Sequence, residues 1–594
     1  MLKSGDRLLF TIAAVFIAAY FLLLTHASLD AYFTPDDMMN LYRSWSPPIG
    51  QLIRSNLLFI FSSTFMRPMG SVWYRTIYDF AGFNPAPFHF ANLAILLANT
   101  FFTYCVSRRL TGSRLIGALA ALLACYHPGL AWLYFDTGYV YDVLCYFFYF
   151  AAFLTYLRIR QAGRIPGFWG IAGLIALYVC ALNSKEMALT LPVTLLIYEL
   201  VYHPPQSPRW LLQQGRTTLV LAVLTAAFLI GHMTSSESLL RNAQYQPAFT
   251  GQRFMETSGH FCNSLFNQDG GLAAVPMLLV WALLLAIAWV TNSKPLKFAW
   301  LFLMLSVAPI AFVPPRGMPQ YYIPWFGWTL YLAVVLVSAT EYLLRRLPGP
   351  VRATLLLAAV AATLFPLYRG IGFAKVTEVT LEAPEMRLIV NQLHGLRPSF
   401  PPRARILFLN DPVRADVFDL LFMIRSSYGD NTLRVDRLKT MTVPPDAQAQ
   451  SEYDTVLDYR DKRFIDATQH PPKLDIRPVF TEFYHDGWTP VTPSHPAKRG
   501  EILIAKAADL GPTRPEVPAG APFPSQPSFA QVRARVDVLV DGKYAEVTNQ
   551  FGWPGLVNLY RVDFRVPEKV SGGLVKAELV VQGASGPASM LYVQ

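Results

Sequence analysis

The sequence predicts a multi-span α-helical membrane protein followed by an exported α/β domain and a C-terminal β-sandwich. Three observations carry that expectation. Of 594 residues, 53% are apolar and only 15% charged, against about 25% charged in ordinary soluble chains. The charge is also unevenly divided. Residues 1–370 hold 37 charged side chains, 24 basic and 13 acidic, whereas residues 371–594 hold 52, balanced at 26 of each sign. The formal net charge of +11 therefore sits wholly in the apolar half. A nucleic-acid binder clusters its cations on a polar fold. Here they stand between apolar runs, so membrane lipids are expected partners and nucleic acid is not.

The apolar half divides into eleven runs, each long enough to read as a span. They cover residues 8–28, 86–106, 114–133, 138–157, 167–183, 187–203, 217–233, 273–292, 298–314, 322–342 and 353–369. No Ala-x-Ala cleavage site follows the first, so it reads as a retained span. Lys and Arg concentrate in the loops of one side. With the N-terminus in the cytoplasm, 15 of the 24 cations of this half fall in short inside segments, Arg158, Arg160 and Arg164 among them. Ten of its 13 acids fall near or on the other side. That is the positive-inside asymmetry, and an odd number of spans exports everything after residue 370. Two outside loops are long, 29–85 and 234–272. The first contains amphipathic stretches, Leu57–Phe65 and Val72–Phe83, that suit the membrane surface.

Five cysteines, four of them in or near the spans, give no disulfide framework. No HExxH, phosphate-loop or metal-ligand spacing occurs, so neither a metal nor another cofactor is expected.

The feature with the most chemistry is Thr34-Pro35-Asp36-Asp37, directly after the first span. Two adjacent carboxylates beside a membrane are costly to desolvate and repel each other. They read either as a helix N-cap or as a base. Further motifs follow in order: Arg67-Pro68-Met69, then Phe83-Asn84-Pro85-Ala86-Pro87-Phe88-His89-Phe90-Ala91-Asn92, His127-Pro128, and Gly138-Tyr139-Val140-Tyr141-Asp142. Asn183-Ser184-Lys185-Glu186 precedes Leu189-Thr190-Leu191-Pro192, and Arg316 precedes Tyr321-Tyr322-Ile323-Pro324.

This series resembles the GT-C glycosyltransferases, and within them the protein O-mannosyltransferase-like group that includes transmembrane proteins carrying tetratricopeptide repeats. The resemblance covers about 340 residues and stops before the exported half. It implies transfer of a sugar, mannose or similar, from a polyprenyl-phosphate donor to a protein, lipid or glycan acceptor on the outer face, with inversion. It implies that Asp36 is the general base, with Asp37 orienting it or the acceptor. Arg67, Arg316 and Lys185 would meet the donor phosphate, for which a fixed cation is suited; snorkelling to headgroups is the plainer reading of each. Lys185 is also expected to pair with Glu186. One departure stands out. The group commonly places a Glu soon after His-Pro, but this chain reads Gly129-Leu130-Ala131-Trp132. Asp136 or Asp142 is expected to take that place. His89, Tyr321 and Tyr322 count as supporting residues, and His89 and His127 also fit simple packing. An oligosaccharyl transferase using a diphosphate carrier, and a lipid-glycan transporter or scaffold without catalysis, remain alternatives.

In the exported half, residues 371–510 alternate strand-like runs, such as Arg405–Leu409 and Glu501–Ile504, with turns and a helical stretch over Val417–Ser427. This predicts a small α/β domain. Gly511–Pro527 holds six prolines and reads as an extended linker. Residues 528–594 alternate as strands of a β-sandwich, and Leu559–Pro567 is similar to the Ig-like TIG-type domains of bacterial surface proteins.

Overall fold

The computed structural model describes residues 4–57, 67–205, 207, 209–234, 246–266, 274–413, 420–441, 445, 447–469, 478–518, 521–525, 529–581 and 584–594. It divides into two compact units. The first holds residues 1–391 and 422–431, and the second the remainder.

The first unit is helical. Before the acid-bearing loop stands α1 (Ser4–Thr25), and within that loop α2 (Pro35–Trp45), α3 (Ile49–Leu57) and α4 (Pro68–Ala81). Then come α5 (Pro85–Thr111), α6 (Arg114–Cys125), α7 (Ala131–Phe135), α8 (Val140–Gln161), α9 (Phe168–Leu182) and α10 (Leu191–Tyr202). The series continues through α11 (Trp210–Gln213), α12 (Arg216–Thr234), α13 (Gly251–Leu265), α14 (Ala274–Val290), α15 (Lys294–Ser306), α16 (Ala308–Ala311), α17 (Tyr322–Leu343) and α18 (Gly349–Val379). Each of the eleven apolar runs is helical over most of its length. Length is where the expectation and the structure part. Among the described residues, six helices are long and apolar enough to cross a membrane, and α6 with α7 adds a seventh only as a bent pair. That pair turns by 57° at the break before Pro128, because proline neither donates to the helix ladder nor tolerates a helical residue before it. The runs at 167–183, 217–233 and 273–292 give shorter apolar helices. The long first loop is largely helical, and Val72–Phe83 falls mostly in α4. Of Leu57–Phe65, all but the first residue lies outside the described residues.

Sequence signals at the ends explain where these helices begin. Asn84 Oδ1 accepts from Ala86 N with Pro85 as the first helical residue of α5, and Gly112 ends it in the left-handed conformation at φ 73°. The core is aromatic. Tyr146, Phe150 and Phe153 share one face of α8 and meet Tyr322 at 4.3 Å, Phe326 at 4.7 Å and Phe298 at 5.7 Å. One face of α8 thus packs on both α17 and α15, at spacings where ring pairs contribute beyond their area.

The remaining helices are α19 (Ala383–Leu396), α20 (Leu420–Tyr428) and α21 (Ala447–Ser451). In the second unit, β1 (Arg405–Phe408), β2 (Arg434–Arg437), β3 (Thr455–Arg460) and β4 (Arg463–Asp466) form a sheet of order β2-β1-β3-β4. β1 pairs in parallel with both neighbours, as the α/β reading requires. A second, ten-stranded sheet is built from β5 (Val479–Tyr484), β6 (Ile502–Ala508), β7 (Thr513–Arg514), β8 (Gln531–Val532), β9 (Val536–Val540), β10 (Lys543–Gly552), β11 (Leu559–Arg565), β12 (Gly573–Val581), β13 (Ala584–Ser585) and β14 (Ser589–Val593).

Two sequence boundaries move here. β6 pairs over seven residues with β11, so the strand expected near Glu501–Ile504 in the α/β part belongs to the C-terminal sheet. Its alternate residues Leu503, Ala505 and Ala507 need the apolar partners Val562 and Phe564 that β11 supplies. The Pro-rich stretch is likewise no plain linker in its described part. Thr513–Arg514 pairs with β8, and Phe523 is buried against Tyr560 at 5.0 Å between ring centres.

Candidate active site

Thr34 caps α2 and thereby places both acids. Its hydroxyl accepts from Asp37 N at 3.2 Å, while Asp37 Oδ2 accepts from Thr34 N at 3.0 Å. This reciprocal lock satisfies two free donors of the first turn. It settles the orientation of the doublet. Asp37 is fully buried, and its Oδ1 also accepts from Thr137 Oγ1 at 2.6 Å and from Tyr74 Oη at 3.1 Å. Asp36, on the adjoining spoke of the same turn, is exposed.

Asp136 joins this pair from the loop between α7 and α8. It is buried, its Oδ1 accepts from Gly138 N at 2.7 Å, and Thr34 Oγ1 reaches it at 3.4 Å. A side chain at 138 would crowd the group: a Cβ there falls 2.9 Å from Asp136 Oδ1 and 3.6 Å from Asp36 Cβ. Three carboxyls from two distant parts of the chain therefore meet around one cap.

Burial raises the carboxyl of Asp37, while hydrogen bonds from Thr137, Thr34 and Tyr74 oppose that rise. Burial raises Asp136 further, and the charge of Asp37 adds to it. The charge of Asp37 thus favours the protonated form of Asp136, whereas three donors favour the charged form of Asp37. Asp36 reaches solvent, yet the protein around it also lifts its carboxyl above the ordinary range.

Beside the acids lies a four-charge group. Arg67 grips Glu186 with both arms of its fork, Nε to Oε1 at 3.3 Å and Nη2 to Oε2 at 2.9 Å. Lys185 Nζ lies 2.5 Å from Asp142 Oδ2, with both side chains nearly buried. The expected pairing of Lys185 with Glu186 is thus replaced by two longer-range pairs. Consecutive residues point away from each other, so Lys185 turns into α8 and Glu186 turns toward the first loop. Burial works against the charge of Arg67, but Glu186 more than offsets it and the guanidinium stays charged. Arg67 also lies 5.7 Å from the ring centre of Tyr141. Its backbone stands at φ 126°, ψ 62°, a region that side chains with a Cβ avoid.

The other expected residues separate. Arg316 lies between α16 and α17, where its carbonyl accepts from His260 Nε2 at 2.8 Å. Its charge acts on Tyr139, as do those of Asp136, Asp142 and Asp36. Tyr321 accepts from Trp328 Nε1 at 3.0 Å and stacks on Phe261. Tyr322 stacks on Tyr146. Both tyrosines are packing residues and not part of the acid cluster. His89 is fully buried, and neither ring nitrogen has a hydrogen-bond partner among the described residues. His127 packs as expected, its Nδ1 accepting from Gly129 N and its Nε2 bonding Leu265 O at 3.1 Å. Among the described residues, no three of His, Cys, Asp and Glu are placed to hold a metal ion. Sequence reasoning missed Tyr74 and Thr137 as supports of Asp37. Thr137 had a signal, since it directly follows Asp136; Tyr74 had none.

No protein-family model and no curated protein matches the chain. Among solved structures, the chain is similar to ArnT from Cupriavidus metallidurans bound to undecaprenyl phosphate, with a TM-score of 0.44 and 13% identity over 77% of this chain and 94% of that one. It is similar also to the apo state of the same protein, with a TM-score of 0.44 and 13% identity over 81% and 96%. A likeness this distant says nothing of substrate or mechanism.

Proposed function

We propose that the chain is an integral-membrane glycosyltransferase that moves a sugar, mannose or similar, from a polyprenyl phosphate to an acceptor hydroxyl on the outer face. The observation that carries this reading is the division of labour among the acids. Asp36 is exposed and has a raised carboxyl, while Asp37 and Asp136 are buried beside it. A structural cap needs one carboxylate; the exposed partner on the same turn is left for chemistry. Asp36 takes the proton of the acceptor hydroxyl as that oxygen bonds to the anomeric carbon. The bond from that carbon to the phosphate oxygen breaks, with inversion, and the polyprenyl phosphate leaves with the electron pair. Arg67 and Arg316 meet its growing charge. Lys185 is held by Asp142 and positions α8 against the turn that carries Glu186. In this topology the N-terminus is cytoplasmic and the C-terminal domains face the periplasm or exterior.

The test is transfer of radiolabelled sugar from a panel of polyprenyl-phosphate donors in native membranes. Asp36→Asn should lower transfer by roughly 10²–10⁴-fold, the usual contribution of a general base. Because Asp36 must be ionised and its carboxyl is raised, the acid limb of kcat/KM should lie above the ordinary carboxylate value of about 4. Equal transfer by wild type and Asp36→Asn would remove Asp36 from the chemistry.

A further inference from the structure

At the end of the helices opposite the acid cluster, an apolar groove of about 420 Å³ opens between α1, α6 and α18. Phe16, Ala118, Ala353 and Leu357 line it, and Tyr104 and Arg114 stand at its polar end. Small side chains on α6 and α18 leave a channel that larger ones would fill. The mouth is cationic. Tyr104 lies within the electrostatic reach of both Arg108 and Arg114. Arg108 starts over Gly117, where an added Cβ would stand 3.1 Å from Arg108 Cβ. Across the groove, Gly349 forms part of the wall and lies 4.0 Å from Arg352 Nη2, measured from a Cβ built on it.

Arg114 thus lines the entrance to an apolar channel, with Arg108 and Arg352 on the flanking helices, in a half of the chain that carries the whole positive excess. Each of the two features selects one part of a ligand. The channel takes hydrocarbon, because its wall offers few polar partners. The arginines take an anion, and a guanidinium fork matches phosphate oxygens. Basic pockets between spanning helices are a general means of holding anionic headgroups. We infer that this groove binds an anionic glycerophospholipid, one acyl chain lying along Phe16, Ala118 and Leu357 and the phosphate set among Arg108, Arg114 and Arg352. The site lies apart from the acids, so it stands or falls independently of the transferase reading.

The experiment is native mass spectrometry of the full-length protein, delipidated in detergent and offered equal amounts of phosphatidylglycerol and phosphatidylcholine with identical chains. Wild type should retain phosphatidylglycerol in preference. Arg114→Gln should reduce that preference roughly fivefold, the factor one arginine supplies near an anionic surface, without loss of bound phosphatidylcholine. Ala353→Trp, which fills the channel, should remove both lipids. The ratio measured on Arg114→Gln decides the matter even if the tryptophan variant does not fold. Equal retention of the two lipids by wild type, or an unchanged ratio in Arg114→Gln, would overturn the site and leave only bulk lipid in the groove.

Discussion

Helix α8 carries a buried ion pair at each end, and the two ends differ in how completely their charges are satisfied. Near its C-terminus, Arg160 grips Glu199 of α10 through Nε at 2.7 Å and Nη2 at 2.9 Å. Tyr156 Oη adds a third bond to Glu199 at 2.8 Å, and Arg160 Nη1 turns back to Arg164 O at 3.2 Å. Arg160 is a clamp rather than the loop cation its sequence position suggests. At the other end, Asp142 and Lys185 neutralise each other, but the loop before α8 brings in Asp136 and the first turn of α2 brings in Asp36 and Asp37, none of them in an ion pair among the described residues. Full satisfaction marks an element that holds helices together. An excess of one sign, kept in place by hydroxyls and a helix cap, marks a place where something is to be done. The excess is costly to the fold, which is why it needs Thr34, Tyr74 and Thr137 around it.

The comparison can be broken or sharpened by substitution. Beyond the loss of transfer expected for Asp36→Asn, the largest effect belongs to the clamp. Glu199→Ala leaves Arg160 buried without its partner and should cost about 3–5 kcal/mol, seen as a lowered thermal unfolding midpoint in detergent. Transfer per folded molecule should be kept; a loss of transfer at unchanged stability would erase the distinction between the two ends. Asp136→Asn tests the other side. Its carboxyl is raised in the folded protein by burial and by Asp37, so the folded state keeps a proton that the unfolded chain releases near pH 4. Stability therefore falls as pH rises from there through the raised value. The asparagine variant, still a donor to Asp37, should lose that slope in unfolding midpoints taken between about pH 4 and pH 8. The smallest effect is expected for Thr34→Ala, which removes the cap of α2 and should cost about 1 kcal/mol; thermal unfolding against wild type measures it.

Much of this arrangement was legible before the structure, and what was not follows a pattern. Hydropathy placed all eleven helical runs, because each needs only its own residues. Spanning length is reached by six of them among the described residues, with the bent pair at His127-Pro128 as a seventh, while α9 is shorter. The Asp36-Asp37 doublet was visible, and the cap was foreseen as one of two readings. The structure gives the cap to Asp37 and leaves Asp36 exposed. The partners of Lys185 and Glu186 were invisible because they lie 43 and 119 positions away, whereas adjacency in sequence suggested the wrong pair. Asp136 was foreseen as a candidate, but its contact with Thr34 spans 102 positions and no local pattern records it. The strand at Ile502–Ala508 has the right alternation, yet nothing within it says that its partners are Val479–Tyr484 and Leu559–Arg565.

The capping lock of α2 has a consequence for how the doublet works as a unit. Successive residues of a helix are turned by about 100°, so two adjacent aspartates are dealt to different directions by the screw of the backbone. One becomes a keyed peg seated in the protein; the other becomes a pointer whose aim is read from that peg. The pointer's bearing is then insensitive to the remote loops and depends on a single turn of helix, much as a clock hand depends on its spindle. Moving the phase of that turn by one residue would exchange peg and pointer, and the same two carboxylates would no longer tell inside from outside.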